Sequence, residues 1–334
     1  MSDIAAEIPA RHPRASGLRS FAFTHRAALG TLAVFVLMML VFLAANPTVF
    51  TRWQTYSSVL ITLPVAIFLV VPLVFVVTVG EIDLSFPATF GVAAWMFALV
   101  IQAGLPPILG VAAALVAGTL LGLFVGGLIV YGNLSSLVAS LGMNFVLRGF
   151  IMICTGAKSI ALVEMMDDPL SHILSGELFG IPTQMFWAVL FVIAASMLYQ
   201  RHRFGVRLHC VGDNPDSAAQ MGIDVKRVKL MAFAFMGFGA GLAGVFSTLI
   251  NFTWWPTAGD GYLLTAIASV FVGGTPTWGG IGTVAGGALG ALIVAFIQTG
   301  VVAAGLSGFY TQFFNGLIII LALLGHRYNQ SRLR

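Results

Sequence analysis

Ten stretches of about twenty apolar residues, separated by short polar turns, dominate the chain and leave little choice of fold. A helix of that length matches the roughly 30 Å hydrocarbon core of a bilayer. Backbone in lipid has to satisfy its own amides, as helix or as closed barrel, and the runs lack the two-residue alternation of barrel strands. They fall near 27–46, 57–79, 87–103, 107–130, 135–154, 183–200, 230–250, 262–274, 284–304 and 308–324. The expected fold class is all-α, a polytopic membrane protein of about 10 transmembrane helices. Glycine and proline break several runs and the eighth is short, so eight full spans with re-entrant segments stay open as a second arrangement. With 59% hydrophobic and 8% charged residues in 334, the chain has too few charges to cover a water-soluble globule.

The net charge of +4 does not describe a nucleic-acid surface, because the positive residues map onto topology. Thirteen of the sixteen Lys and Arg lie in three segments: Arg11, Arg14, Arg19 and Arg26 before the first run; Arg201, Arg203, Arg207, Lys226, Arg227 and Lys229 in one loop; Arg327, Arg332 and Arg334 in the tail. The positive-inside rule puts all three in the cytoplasm, which demands an even number of spans and cytoplasmic N- and C-termini. The expected organisation is a basic tail over 1–26, one membrane domain over 27–325 and a cytoplasmic tail over 326–334. Within the domain, 155–182 is an acidic extracytoplasmic loop and 201–229 a basic cytoplasmic one, neither apolar enough to build a core of its own. The first run exceeds a signal-peptide core, and Ala44-Ala45 before Asn46-Pro47 is a poor cleavage site, so it reads as an uncleaved span. Cys154 and Cys210 fall on opposite sides and are not expected to pair.

Three runs carry small residues at intervals of four: Gly118, Gly122 and Gly126; Gly237 and Gly241; Gly282, Gly286 and Gly290. Such stripes let membrane helices approach backbone to backbone, and packing is their expected role.

Three polar segments stand out against the apolar background. In Gly80-Glu81-Ile82-Asp83-Leu84-Ser85-Phe86-Pro87, two carboxylates sit between two apolar runs with almost no loop. Acids there either line or gate a water-filled path, or Asp83 and Ser85 cap the next helix with Pro87 in its first turn. Gly273-Gly274-Thr275-Pro276-Thr277-Trp278-Gly279-Gly280-Ile281-Gly282 cannot continue a helix. It reads either as the counterpart of the first segment, around a central site flanked by broken helices, or as a tight turn. In the basic loop, Asn214 suits an N-cap, Pro215 the first helical position and Gly222 the stop, which predicts a helix of about seven residues. So short a helix needs a surface to dock on, either a partner protein or the chain's own helix ends.

Enzyme signatures are missing. None of Lys158, Lys226 and Lys229 completes a P-loop, no histidine begins His-Glu-x-x-His, and no Cys-x-x-Cys or Gly-x-Ser-x-Gly occurs. Gly305-Leu306-Ser307-Gly308 is similar to the serine motif of rhomboid-type proteases. The only later histidine, His326, is nineteen residues on, about 28 Å along a helix, too far to serve as the base. An ion-coupled carrier would want acids or histidines mid-span, and Arg148 is the one charge clearly inside a run.

As an ordered set, Gly-Glu-Ile-Asp-Leu-Ser at 80–85, Gly-Asp-Asn-Pro-Asp-Ser-Ala-Ala-Gln-Met-Gly-Ile at 212–223 with Arg227, Lys229 and Leu230, and the 273–282 segment resemble the ribose-type permeases of bacterial ATP-binding-cassette importers, over roughly residues 30–325. The resemblance implies a permease of the bacterial inner membrane for a sugar or related small polar solute. It implies a second permease copy, a cytoplasmic ATPase that binds the ATP this chain does not, and an extracytoplasmic solute-binding protein. It makes Asn214, Pro215, Asp216, Ser217, Ala218, Ala219, Gln220, Met221 and Gly222 the coupling helix that docks on the ATPase. It leaves Glu81, Asp83, Ser85, Thr275 and Trp278 as pathway or gating residues, with no catalytic residue, metal or cofactor on this chain. Glu81 departs from the family's Gly-Gly-Ile-Asp-Leu-Ser, which weakens inference about the solute.

Overall fold

The computed structural model describes residues 26–307 and 309–331. Residues 1–25 of the expected 1–26 tail, with Arg11, Arg14 and Arg19, and the end of the chain over 332–334, with Arg332 and Arg334, lie outside the described residues. Each of the ten apolar runs contains a helix: α1 Arg26–Ala45, α3 Trp53–Thr78, α4 Phe86–Gln102, α5 Pro107–Gly132, α6 Ser136–Thr155, α8 Thr183–Gln200, α11 Val225–Asn251, α12 Tyr262–Val272, α13 Val284–Ala303 and α14 Phe309–Ser331. Between them lie four short helices: α2 Pro47–Phe50, α7 Pro169–Ser175, α9 Arg203–Asp213 and α10 Pro215–Gln220.

Among the described residues, six helices are long and apolar enough to cross a membrane: α3, α5, α6, α8, α11 and α13. The apolar parts of α1, α4, α12 and α14 are shorter. The shortest, α12, rises only about 16 Å, because Gly261 precedes it and the glycine-rich turn after Val272 ends it.

Successive long helices run between two ends of the bundle. One end carries the basic loop over 201–229, the other the acidic loop over 156–182, since α8 runs from one to the other. At the acidic end β1 Ile160–Ala161 pairs antiparallel with β4 Thr253–Trp254, and β2 Glu177–Leu178 pairs with β3 Ile181–Pro182. Among the described residues these two-residue ladders are the strand structure of a mostly helical chain. Cys154 and Cys210 are both free, one near the acidic end of α6 and one in α9.

The centre belongs to α3 and α11, the two most buried of the long helices. Pro72 inside α3 has no N–H for the carbonyl of Phe68. A Cβ at Gly239 of α11 would overlap that carbonyl oxygen and the Pro72 ring, so the missing side chain lets α11 press against the proline-broken turn. The glycine stripes pack as expected. A Cβ at Gly118 would strike the carbonyl of Gly237, one at Gly122 the carbonyl of Phe233, and one at Gly237 the carbonyl of Gly118. Thus α5 and α11 meet backbone to backbone. Gly286 and Gly290 of α13 do the same against the carbonyls of Gly273 and Ser269. The outer faces of α5, α6 and α8 carry exposed Leu120, Phe124, Val138, Phe145, Ile153, Leu190 and Ile193, an apolar surface suited to lipid.

The basic loop contains more helix than the short one expected. The 11-residue α9 buries Phe204, Leu208 and Val211, at intervals of four and three, and turns its arginines outward. The His202 ring caps it, accepting from the Phe204 amide at 3.1 Å.

Candidate functional site

The three polar segments singled out in the sequence meet at the basic end, and α9 lies among them. α3 ends at Thr78, whose carbonyl accepts from the Gly280 amide at 2.8 Å. The Gly280 carbonyl lies 2.9 Å from His209 Nδ1 on α9. A Cβ at Gly212 would overlap the Thr78 carbonyl and lie 2.6 Å from the Gly280 amide nitrogen, so α9 passes against the end of α3 with no side chain between them. Gly279 and Gly280 take φ of 83° and 73°, the left-handed region that glycine enters without cost, and this turns 273–282 back onto α9. Tyr199 closes the junction from the end of α8. Its hydroxyl is 2.7 Å from Thr78 Oγ1, and its ring meets that of His209 edge-on at 4.7 Å.

The 80–87 and 273–282 segments therefore do not oppose each other across a central site. A Cβ at Gly279 would come within 3.0 Å of Gly80 Cα and N; the two segments are parts of one packed junction. The interruption that corresponds in chain order to 79–85, following the other deeply buried helix, is 252–261 between α11 and α12, at the acidic end.

Local chemistry shapes 81–85 as a connection running from α3 to α4. Lys229 Nζ lies 2.5 Å from Glu81 Oε1, with both side chains mostly buried. Asp83 is buried, and its Oδ1 accepts from the Ser85 amide at 2.7 Å and the Ser85 hydroxyl at 2.6 Å. Ser85 holds the N-cap position of α4 without a side-chain cap bond, with Pro87 in the first turn. Ser140 of α6 ties the same connection down, accepting from the Leu84 amide at 2.9 Å.

The short helix forms as its capping residues predict. Asn214 Oδ1 accepts from the Ser217 amide at 2.9 Å, Pro215 opens α10, and Gly222 ends the segment at φ 79°. Ala218 is fully buried while Met221 is exposed, so the helix has one face on the protein and one free of it. Asn214 caps α10 and also terminates α9, which makes the two short helices one bent unit seated on the junction.

Thr275 is closed inside this junction and Asp83 and Ser85 are buried in the connection beside it, whereas Trp278 is exposed. The Thr275 hydroxyl has no hydrogen-bond partner among the described residues. The partnership of Glu81 with Lys229 escaped the sequence reading, although both residues lay in noted motifs, because it joins positions 148 residues apart.

Arg148 forms a second polar centre inside the bundle. It pairs with Asp260 and donates to the carbonyls of Pro256 at 2.6 Å, Ala258 at 3.2 Å and Pro87 at 3.4 Å. Being twelve residues past Ser136, it sits about 18 Å along α6, where it holds the 252–261 turn and the start of α4 together.

Residues 55–323 match the family described as branched-chain amino acid transport system / permease component. The ribose import permease protein RbsC of Escherichia coli (strain K12) is 28% identical over 311 residues, covering 92% of this chain and 96% of the relative. RbsC of Haemophilus influenzae is 32% identical over 260 residues, 77% of this chain and 80% of its own length. The D-allose transport system permease protein AlsC of Escherichia coli (strain K12) is 29% identical over 298 residues, with 88% and 90% covered. No solved structure matches. A family match over most of the length, ordered motifs that meet at one junction and several membrane-length apolar helices lead to one assignment: the chain belongs to the branched-chain amino acid transport system / permease component family, as a multi-pass permease of the inner membrane.

Proposed function

We propose that this chain forms the translocation pathway of an ATP-binding-cassette importer for a sugar or related small polar solute. It acts with a second copy of itself, a cytoplasmic ATPase that binds and hydrolyses the ATP, and an extracytoplasmic solute-binding protein, and it binds no cofactor of its own. The relatives named for ribose and D-allose support the solute class. In this reading residues 27–325 act as one membrane domain of about ten passages with both termini in the cytoplasm. The basic end faces the cytoplasm, by the positive-inside rule, and the acidic 155–182 loop faces the binding protein.

The observation that carries the mechanism is the contact of α9 with the end of α3 and the 273–282 turn, through Gly212, Thr78 and Gly280. Asn214 to Gly222 dock on the ATPase by their exposed face. When ATP closes the ATPase pair, the force enters α10 and passes through the Asn214 bend to α9. It then reaches the α3 end, the Glu81 to Ser85 connection and the Thr275 to Trp278 turn together. Those residues gate the inner mouth of the path, closed in this conformation with Asp83, Ser85 and Thr275 buried. Such a packed junction moves as a unit, which is what transmission from a docking helix needs.

A stand-alone ion-coupled carrier has less support. Arg148 is bound up by Asp260 and three carbonyls, which leaves it poorly placed to exchange an ion during a cycle. The test is uptake of labelled pentoses, hexoses and polyols in proteoliposomes holding this chain with and without its ATPase and binding protein. Uptake that needs both partners and ATP supports the importer; uptake by this chain alone under an ion gradient overturns it.

A further inference from the structure

Toward the acidic end, a cavity of about 410 Å³ opens between α12, α13 and α14, where Thr265, Gln298, Thr311, Gln312 and Asn315 share the wall with apolar Leu264 and Val302, and Asp260 stands at its rim. Polar side chains gathered inside otherwise apolar helices face water or a ligand rather than lipid. Their hydrogen bonds leave a specific vacancy. Gln298 Nε2 and Asn315 Nδ2 both donate to Thr265 Oγ1, at 3.1 and 3.4 Å, and Thr265 donates to the Gly261 carbonyl at 3.2 Å. That hydroxyl is thereby saturated. Asn315 Oδ1, on a side chain only 3% exposed, has no partner among the described residues. A buried carbonyl oxygen of this kind is costly to leave unmet.

We propose that this cavity is a binding station for a neutral, polyhydroxylated solute on its way through the protein, with Gln312 and Thr311 supplying hydrogen bonds at its opening and a rotation of the enclosed Asn315 amide bringing Oδ1 onto a solute hydroxyl. The inference rests on the permease reading and adds the solute-contact residues that reading lacks. Its chemistry selects the class. The wall offers amide and hydroxyl groups that both donate and accept, as hydroxyl-rich molecules require. The one charge at the rim, Asp260, is neutralised by Arg148, so nothing in the wall favours an ion. The volume holds about a dozen waters, or one monosaccharide in their place. The position suits a first station: Asn315 is six residues from the acidic-end start of α14, about 9 Å along it. It lies far from the junction where coupling enters.

The decisive experiment compares the assembled importer in proteoliposomes with Asn315→Leu, Gln298→Leu and Gln312→Leu variants, reading D-ribose, D-allose and myo-inositol uptake beside ATP hydrolysis stimulated by the binding protein. Asn315→Leu is expected to lower uptake about tenfold while stimulated hydrolysis is retained. Gln312→Leu, at an exposed rim position where folding is not at stake, is expected to lower it severalfold. Uptake within twofold of the parent in Gln312→Leu and in whichever buried variant assembles overturns the station. A second measurement does not depend on the ATPase. In a Cys154→Ser/Cys210→Ser background, Thr311→Cys is labelled with a small water-soluble maleimide, with and without D-ribose. Slower labelling with the sugar supports the station, and an unchanged rate at saturating sugar overturns it. If the parent protein imports without partners or ATP, the importer reading fails, and the labelling result still decides the cavity.

Discussion

Lys229 at the base of α11 reaches across to Glu81 in the connection between α3 and α4, placing Nζ 2.5 Å from Oε1 with the side chains 22% and 13% exposed. The pair ties the helix that follows the docking loop to the segment that follows the most buried helix. Glu81→Gln or Lys229→Met alone is expected to cost about 1–3 kcal/mol, because each leaves a largely buried charge without its partner. The exchange Glu81→Lys with Lys229→Glu is expected to recover part of that loss. Thermal unfolding in detergent of the parent, the two single variants and the Glu81→Gln/Lys229→Met double variant forms the cycle, and additive single losses would show that the pair contributes nothing of its own.

Arg148 and Asp260 are unequal partners. Arg148 also serves three backbone carbonyls, whereas Asp260 is half exposed. Asp260→Asn is therefore expected to be mild, about 1 kcal/mol or less, and Arg148→Met severe, about 3 kcal/mol or more. Arg148→Lys is expected not to rescue, since an ammonium cannot reproduce the planar fork of donors. The ranking of melting temperatures checks this; equal losses from the two residues would contradict it.

The α5–α11 contact has no room for side chains. A leucine at Gly122 would have to displace the Phe233 carbonyl, and overpacking of this kind costs about 1–3 kcal/mol or more. Gly127, whose Cβ would meet nothing within 4 Å, is the control. Size-exclusion profiles after brief heating are expected to show Gly122→Leu lost and Gly127→Ala unchanged.

At the docking helix, Asn214→Ala removes the cap bond to the Ser217 amide and is expected to destabilise α10 by about 1 kcal/mol. Gly222→Val strains a residue held at φ 79°. Both side-chain positions are exposed. The melting temperature is expected to stay nearly constant while solute transported per ATP falls severalfold. A normal coupling ratio in both variants would remove this helix from the transmission path.

Hydropathy and local capping chemistry were enough to read much of the molecule. The ten apolar runs each contain a helix, because about twenty apolar residues in succession have few other ways to satisfy their amides. Residues 214–222 form their helix because Asn214, Pro215 and Gly222 act within a few positions of themselves. α9 was not legible. Its apolar residues are interspersed with Arg203, Arg207 and His209 and include the exposed Val206, and the burial of Phe204, Leu208 and Val211 depends on a surface built by α3, α8 and the 273–282 turn. Tertiary packing alone decided which distant groups meet: Glu81 with Lys229, Arg148 with Asp260, Gly118 with Gly237, and Thr265 with Gln298 and Asn315. The physical reason is reach. A hydrogen-bonded turn or cap is closed by neighbours in the chain, whereas a pair 148 residues apart exists only after helix packing has set the angle and depth of both partners.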